Sequence, residues 1–322
     1  MLKIIADQQI PLLDYFFGDV AEVQAIPAAE FSPERVVSAD ILLVRSTVKI
    51  NQALLQQHRP DFIGSCVSGQ DHLDQSWLQS AGIPYYCAKG CNALAVQAYV
   101  TQIINVLRYR GILPMAGQAA VVGVGHVGAL VAKSLLEFGY QVRLSDPLRA
   151  EREPGLEHSN IDRLLDSDLI CLHTPLTQDG ACPTYHLLNA DRVAKLKPDA
   201  VLLNAGRGEV IAPDGLMRPD IHYCLDVWPV EPAVDPRWVA NSLVATPHIA
   251  GHTVLGKCQG TAMVYQVLAE RFGWPDKILP QCYRVNCHQA LIQLSQQFKR
   301  AMSDCTGSTG QLFQQMRMQY CP

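Results

Sequence analysis

The sequence predicts an α/β protein made of two doubly wound parallel-sheet domains. Two observations carry this. Short apolar runs alternate with polar, helix-compatible stretches over the first ninety residues, and a second such series follows a long helical stretch. At 322 residues, 48% of them hydrophobic, the chain is long enough for two domains of ordinary size with packed cores.

In order, Leu2–Ala6, Glu22–Ile26, Ile41–Arg45, Phe62–Val67 and Pro84–Cys87 are the apolar runs of the first series, each short enough for a strand. Asn51–His58 and Gln75–Ala81 are helix-compatible stretches between them. From Asn92 to Tyr109, the residues Ala95, Tyr99, Ile103, Val106 and Leu107 recur at helical spacing, which predicts one long helix linking the domains. The second series begins with a strand at Ala119–Val124, a helix at Val127–Phe138 and a strand at Gln141–Ser145. Leu169–His173, Ala200–Asn204, Tyr223–Val227 and Leu243–Ala245 are further buried strands, and Thr253–Arg271 is a helix. Between Glu209 and Tyr223, Pro219 would break any helix. After Gly273-Trp274-Pro275 the composition shifts, and residues 281–322, rich in Gln, Cys and Met, form a short C-terminal extension. The expected domains are therefore 1–92 with 253–280, and 93–252, followed by that extension.

Net charge is -4, and no Lys/Arg run suggests a nucleic-acid partner. No apolar stretch is long enough to span a membrane, and the N-terminus reads as a strand rather than a signal peptide, so the cytoplasm is the expected compartment. The 11 cysteines include no C-x-x-C pair, and Cys66, Cys171 and Cys224 lie inside apolar strands. Reduced, mostly structural thiols and no metal site are expected.

Gly123-Val124-Gly125-His126-Val127-Gly128 is a G-x-G-x-x-G run between a strand and a helix, the context a dinucleotide site requires. Gly123 permits the tight turn, Gly125 close approach of a pyrophosphate, and Gly128 close helix–strand packing. The first helical amides, at His126, Val127 and Gly128, face the phosphates at the positive end of the helix dipole. Asp146 follows Gly128 by 18 residues at the end of the next strand, where a carboxylate accepts the ribose hydroxyls of NAD.

Three motifs then stand in order: Asn204-Ala205-Gly206-Arg207-Gly208, Asp226-Val227-Trp228-Pro229-Val230-Glu231-Pro232 and Thr246-Pro247-His248-Ile249-Ala250-Gly251. They supply a fixed cation, a carboxylate and a proton carrier at strand ends. Arg207 can clamp a carboxylate with two parallel hydrogen bonds. His248 can carry a proton both ways near neutral pH, with Glu231 as its partner.

With the glycine run, these residues resemble the D-2-hydroxyacid dehydrogenase superfamily over roughly residues 1–280. That resemblance implies two Rossmann-like domains, a flavodoxin-like substrate domain and an NAD-binding domain. It implies that Arg207 holds the substrate carboxylate, Glu231 tunes His248, and His248 exchanges the hydroxyl proton. It also places Thr174, Asp226 and Gly251 near the cofactor. Within the superfamily, Val44-Arg45-Ser46, Ser68-Gly69-Gln70-Asp71-His72, Gly90-Cys91-Asn92-Ala93 and His173-Thr174-Pro175-Leu176 resemble the erythronate-4-phosphate dehydrogenases. The implied reaction is NAD-dependent oxidation of 4-phospho-D-erythronate in pyridoxal 5′-phosphate biosynthesis. Arg45 and Ser46, with Lys49, are candidates for the substrate phosphate. Val67, Ser68, Gly69 and His252 are further candidate substrate residues; Val67 and His252 replace a threonine and a tyrosine of that family. The extension resembles the start of the family's dimerisation region, and a homodimer is expected. Another 2-hydroxyacid substrate, such as 3-phosphoglycerate or glycerate, fits the same trio, as does an NAD-binding corepressor-like protein.

Overall fold

The computed structural model describes residues 1–280 and 291–320, which fall into two compact units. The rest of the extension, including Cys282, Cys287 and Cys321, lies outside the described residues.

The first unit holds Met1–Asn92 and the segment that begins at Thr253. Its strands are β1 (Leu2–Asp7), β2 (Ala21–Ile26), β3 (Ile41–Val44), β4 (Phe62–Ser65) and β5 (Tyr85–Cys87). They form one parallel sheet in the order β2-β1-β3-β4-β5. Strand order reverses between β1 and β3, so the crevice for a ligand lies beyond their carboxyl ends. Side chains alternate across the sheet. Ile4, Ala6, Ile41 and Leu43 enter one core, and Ile5, Leu42 and Val44 the other. The helix Val254–Phe272 covers the first face. Its approach to β4 depends on two glycines. A Cβ on Gly64 would stand 2.5 Å from Val264 Cγ1, and one on Gly260 would stand 2.2 Å from the Cys66 carbonyl. Thr253 caps this helix at its start, and Gly273, at φ +69°, ends it. The helix expected over Asn51–His58 is a single turn, Gln52–Leu55. Gln56 takes φ +49° and stops it, and Pro60 follows too soon for a restart.

The second unit holds Ala93–His252 and the C-terminal helices. Its strands are β6 (Gln118–Val122), β7 (Gln141–Ser145), β8 (Leu169–Leu172), β9 (Val201–Asn204), β10 (His222–Leu225) and β11 (Val244–Ala245). They pair in parallel in the order β11-β10-β9-β8-β6-β7, with the reversal between β6 and β8. Alternation again makes two cores: Ala120, Val122, Ile170 and Leu172 face one way, and Ala119, Val121, Leu169 and Cys171 the other. The long helix is Ala93–Tyr109. Its buried stripe Val96, Tyr99, Val100, Ile103, Ile104 and Leu107 packs on the second face, each large side chain contributing about 1.5–3 kcal/mol. No helix forms between Gly208 and Tyr223; two short 3₁₀ turns, Gly208–Val210 and Pro213–Met217, take its place.

The extension folds onto this unit. In the helix Leu291–Ser303, the Ser295 hydroxyl accepts the Ala245 N–H at 2.9 Å and satisfies part of the edge of β11. Phe298 and Phe313, the latter from the helix Thr309–Tyr320, are fully buried in the same core as Trp228. All eight cysteines among the described residues are free thiols, and no helix among them is long and apolar enough to cross a membrane.

Candidate active site

β9, β10 and β11 are neighbours, so the three motifs that follow them emerge side by side at the carboxyl edge of one sheet. Asn204, the last residue of β9, shapes the first. Its Oδ1 accepts the Gly206 N–H at 3.0 Å and its Nδ2 donates to the Arg207 carbonyl at 2.9 Å. Arg207 is partly exposed, and its Nη1 donates to the Gly206 carbonyl at 2.9 Å. Gly208 is needed for protein contact: a Cβ there would lie 2.0 Å from the carbonyl carbon and oxygen of Trp228. The first two loops therefore touch backbone to backbone.

Trp228 is buried and organises the second loop. Its N–H donates to Glu231 Oε1 at 2.9 Å, and its indole Nε1 donates to the Thr246 carbonyl at 2.9 Å. Its ring lies 6.2 Å from that of Phe298, so the helix Leu291–Ser303 supports the site.

Asp226 shapes the third loop. Its Oδ1 accepts from Thr246 Oγ1 at 2.6 Å and from the Ile249 N–H at 2.7 Å, and its Oδ2 from the Ala250 N–H at 2.8 Å. Its carbonyl takes the His248 N–H at 2.7 Å. Burial raises the Asp226 pKa against the His248 charge and these hydrogen bonds. The resemblance places Asp226 near the cofactor; the structure turns both its carboxylate oxygens to the loop that carries His248. Gly251 and His252 complete that turn, with the His252 N–H donating to the Ile249 carbonyl at 2.8 Å.

This framework brings His248 Nδ1 to 2.7 Å from Glu231 Oε2. A carboxylate only accepts, so Nδ1 carries the proton and Nε2, on the far side of the ring, is the atom that exchanges one. Burial works to raise Glu231. The His248 charge and hydrogen bond, with the Trp228 N–H, outweigh it and hold Glu231 below the usual carboxylate range. His248 sits at φ +56°, a left-handed conformation that the Asp226 contacts impose.

The glycine run fits a dinucleotide. Gly123 has φ +85°, and a Cβ there would come 2.7 Å from the Thr174 N, while one on Gly128 would lie 1.9 Å from the Gly123 carbonyl. Gly125 differs: no atom lies within 4 Å of its Cβ position, which leaves its backbone open to approach. The helix His126–Glu137 starts with no side-chain cap, so its first amides are available to an anion. Asp146 is fixed at the tip of β7 by the Val124 N–H at 2.8 Å and the Arg149 N–H at 3.0 Å, with lone pairs left for ribose hydroxyls. Arg149 pairs with Glu153 at 2.8 Å and donates to the Val124 carbonyl.

Between Gly123 and Gly206, just beyond β8, Thr174 Oγ1 and both ring nitrogens of His173 are buried and make no hydrogen bond. Orphaned polar atoms at a switch point are groups that a bound cofactor or its water would satisfy. His173 carries no role in the sequence reading, and its context in the motif does not reveal the burial. Burial pushes its pKa down to about 4. The unfolded chain takes up that proton near pH 6.5. Stability from the neutral ring is therefore full above that pH and is lost as pH falls toward 4. Denaturant unfolding of His173→Gln is expected to show a loss between pH 7 and pH 5 smaller than that of the parent by about 2 kcal/mol. Equal losses would mean that His173 titrates normally.

The remaining sequence-derived candidates lie in the first unit, at the carboxyl edge of its sheet. Arg45 follows β3 at the switch point and is partly exposed rather than buried. Its Nη1 donates to Gln9 Oε1 at 3.0 Å and to the Gln9 carbonyl at 3.3 Å. Ser46 and Lys49 are exposed beside it. Val67, Ser68 and Gly69 form a half-buried loop after β4, and Ser68 Oγ accepts the Gly90 N–H at 3.1 Å.

Known proteins place this arrangement. The family described as D-isomer specific 2-hydroxyacid dehydrogenase, NAD binding domain, matches residues 101–250. The chain is 41% identical over 285 residues to an erythronate-4-phosphate dehydrogenase of Marinobacter nauticus, covering 85% of this chain and 74% of that protein. It is 39% identical over 278 residues to an erythronate-4-phosphate dehydrogenase of Coxiella burnetii, covering 86% and 76%. Among solved structures, NAD-bound 3-phosphoglycerate dehydrogenase of Entamoeba histolytica superposes with a TM-score of 0.72 at 21% identity, covering 86% of this chain and 98% of that one. D-lactate dehydrogenase of Aquifex aeolicus, complexed with NAD and lactic acid, gives 0.68 at 21% identity, covering 84% and 96%. At these identities the two structures speak for the fold alone.

Proposed function

The chain belongs to the erythronate-4-phosphate dehydrogenases, within the D-isomer specific 2-hydroxyacid dehydrogenases, and from that premise we propose how its residues carry out the reaction. It is an NAD-dependent dehydrogenase that oxidises 4-phospho-D-erythronate to (R)-3-hydroxy-2-oxo-4-phosphooxybutanoate. The observation that carries the mechanism is the Glu231–His248 hydrogen bond, beside the Arg207 loop, at the edge of three adjacent strands.

Arg207 binds the substrate carboxylate, its guanidinium steadied by the Gly206 carbonyl. His248 Nε2 accepts the C2 hydroxyl proton, and the resulting imidazolium is stabilised by Glu231. NAD, when bound, would supply the acceptor for the hydride that leaves C2. Gly123, Gly125 and Gly128, the first amides of the helix His126–Glu137, and Asp146 would hold it, with Thr174 and Gly251 beside it. The proton then leaves His248 for solvent, and a keto acid is released. Arg45 and Ser46 hold the substrate phosphate, which their place at the switch point of the first sheet supports. The first unit is thus the substrate domain and the second the NAD-binding domain. A cytoplasmic homodimer serving pyridoxal 5′-phosphate synthesis completes the reading. Its support is the resemblance of the C-terminal extension and the names of the relatives.

The test is NADH formation with 4-phosphoerythronate and with 3-phosphoglycerate, each acid supplied separately. The expected result is clear preference for the first. Turnover of 3-phosphoglycerate alone would transfer the assignment to that acid.

A further inference from the structure

Loop 66–72 of the first unit is held from beneath by a buried thiol. Cys87, the last residue of β5, places Sγ 2.9 Å from the Val67 carbonyl, 3.3 Å from that of Gly69 and 3.8 Å from that of Ser68. The thiol is not isolated. Ser65, its register partner on β4, places Oγ 2.9 Å from His72 Nε2, and Ser65 and His72 are both buried. Burial raises the Cys87 pKa, so the thiol keeps its proton and acts as a donor.

The consequence follows from peptide geometry. A trans peptide points its N–H opposite to its C=O. Three carbonyls gathered on one sulfur therefore turn the amides of the same peptide units, Ser68, Gly69 and Gln70, to the other side. None of these three N–H groups is bonded to a described protein group. Successive free amides on one side of a loop form a concavity suited to an anion.

We propose that Cys87 is a positioning residue for the substrate: with Ser65 and His72 behind it, its single S–H donates within the cluster of carbonyls of residues 67–69, Val67 being the nearest, and so presents the amides of residues 68–70 to an anionic group of the phosphorylated hydroxyacid. This rests on the reading that the loop lines the substrate site. The sequence gives no sign of it, since an alternating apolar run ending in Cys reads as a strand end and nothing more.

The experiment uses the full chain with saturating NAD. Losing one donor beneath the loop is expected to raise KM for 4-phosphoerythronate about tenfold in Cys87→Ala. Its kcat and NAD affinity stay within about twofold of the parent. Cys87→Ser, which keeps a donor, restores most of the lost KM. Ser65→Ala carries the same direction at about threefold should Cys87→Ala not fold. Hydrogen exchange of the peptide spanning residues 66–72 separates the two claims. Slower exchange in the parent when 4-phosphoerythronate is added supports the loop as part of the site. An unchanged KM in Cys87→Ala together with that protection overturns the role of Cys87 alone. No protection in the parent overturns the loop reading, and the proposal with it.

Discussion

His248→Asn is expected to lower kcat by about 10³-fold while NAD affinity stays within about twofold, since a positioned proton carrier contributes 10²–10⁴. The ring meets Glu231 through Nδ1 at 2.7 Å, and only Nε2 remains to take the hydroxyl proton. Asn cannot take that proton. It is the appropriate replacement because position 248 has φ +56°, where Asn is tolerated better than Ala. The loop is held by Asp226 through the backbone of residues 248–250, which the substitution leaves in place. Steady-state kinetics with fluorescence titration of NAD read the two quantities. A collapse of NAD binding would instead make His248 a structural residue of the loop.

Arg207→Lys is expected to lower kcat/KM by about 10²-fold, because an ammonium cannot reproduce a bidentate fork on a carboxylate. The local structure sharpens this. Nη1 already donates to the Gly206 carbonyl, so the guanidinium is oriented before substrate arrives. Lysine would keep the charge and lose that orientation. The flanking Gly208 packs on Trp228, and the substitution leaves that contact between the loops intact. An unchanged kcat/KM would rule out the carboxylate clamp.

The parts of this molecule that the sequence disclosed are those that repeat or punctuate. Apolar runs of strand length marked nearly every strand, and glycines at fixed offsets marked the turn after β6. Arg207, Glu231 and His248 stood out because each follows a buried strand, and sheet order then makes those strands neighbours. What stayed hidden depends on direction and on distant contacts. That the Asp226 oxygens fold the His248 loop was not legible in its residue type or its place in the motif. A Cβ on Gly208 would stand 2.0 Å from the Trp228 carbonyl, a packing constraint that its place beside Arg207 does not reveal. The ring nitrogens of His173 and the thiol of Cys87 are buried by residues remote in sequence, which no local pattern encodes. The helix at Gln52–Leu55 is shorter than its polar stretch implies, because composition allows a helix without fixing where it ends.

The measurement that bears most directly on the account is the initial rate of NADH appearance at 340 nm when the purified chain meets NAD and 4-phosphoerythronate near neutral pH. The account requires steady production of NADH that is abolished, to within about 0.1% of the parent rate, in His248→Asn. NAD binding with no NADH from 4-phosphoerythronate, or from any other 2-hydroxyacid supplied in its place, would contradict it and leave a nucleotide-binding protein without this chemistry.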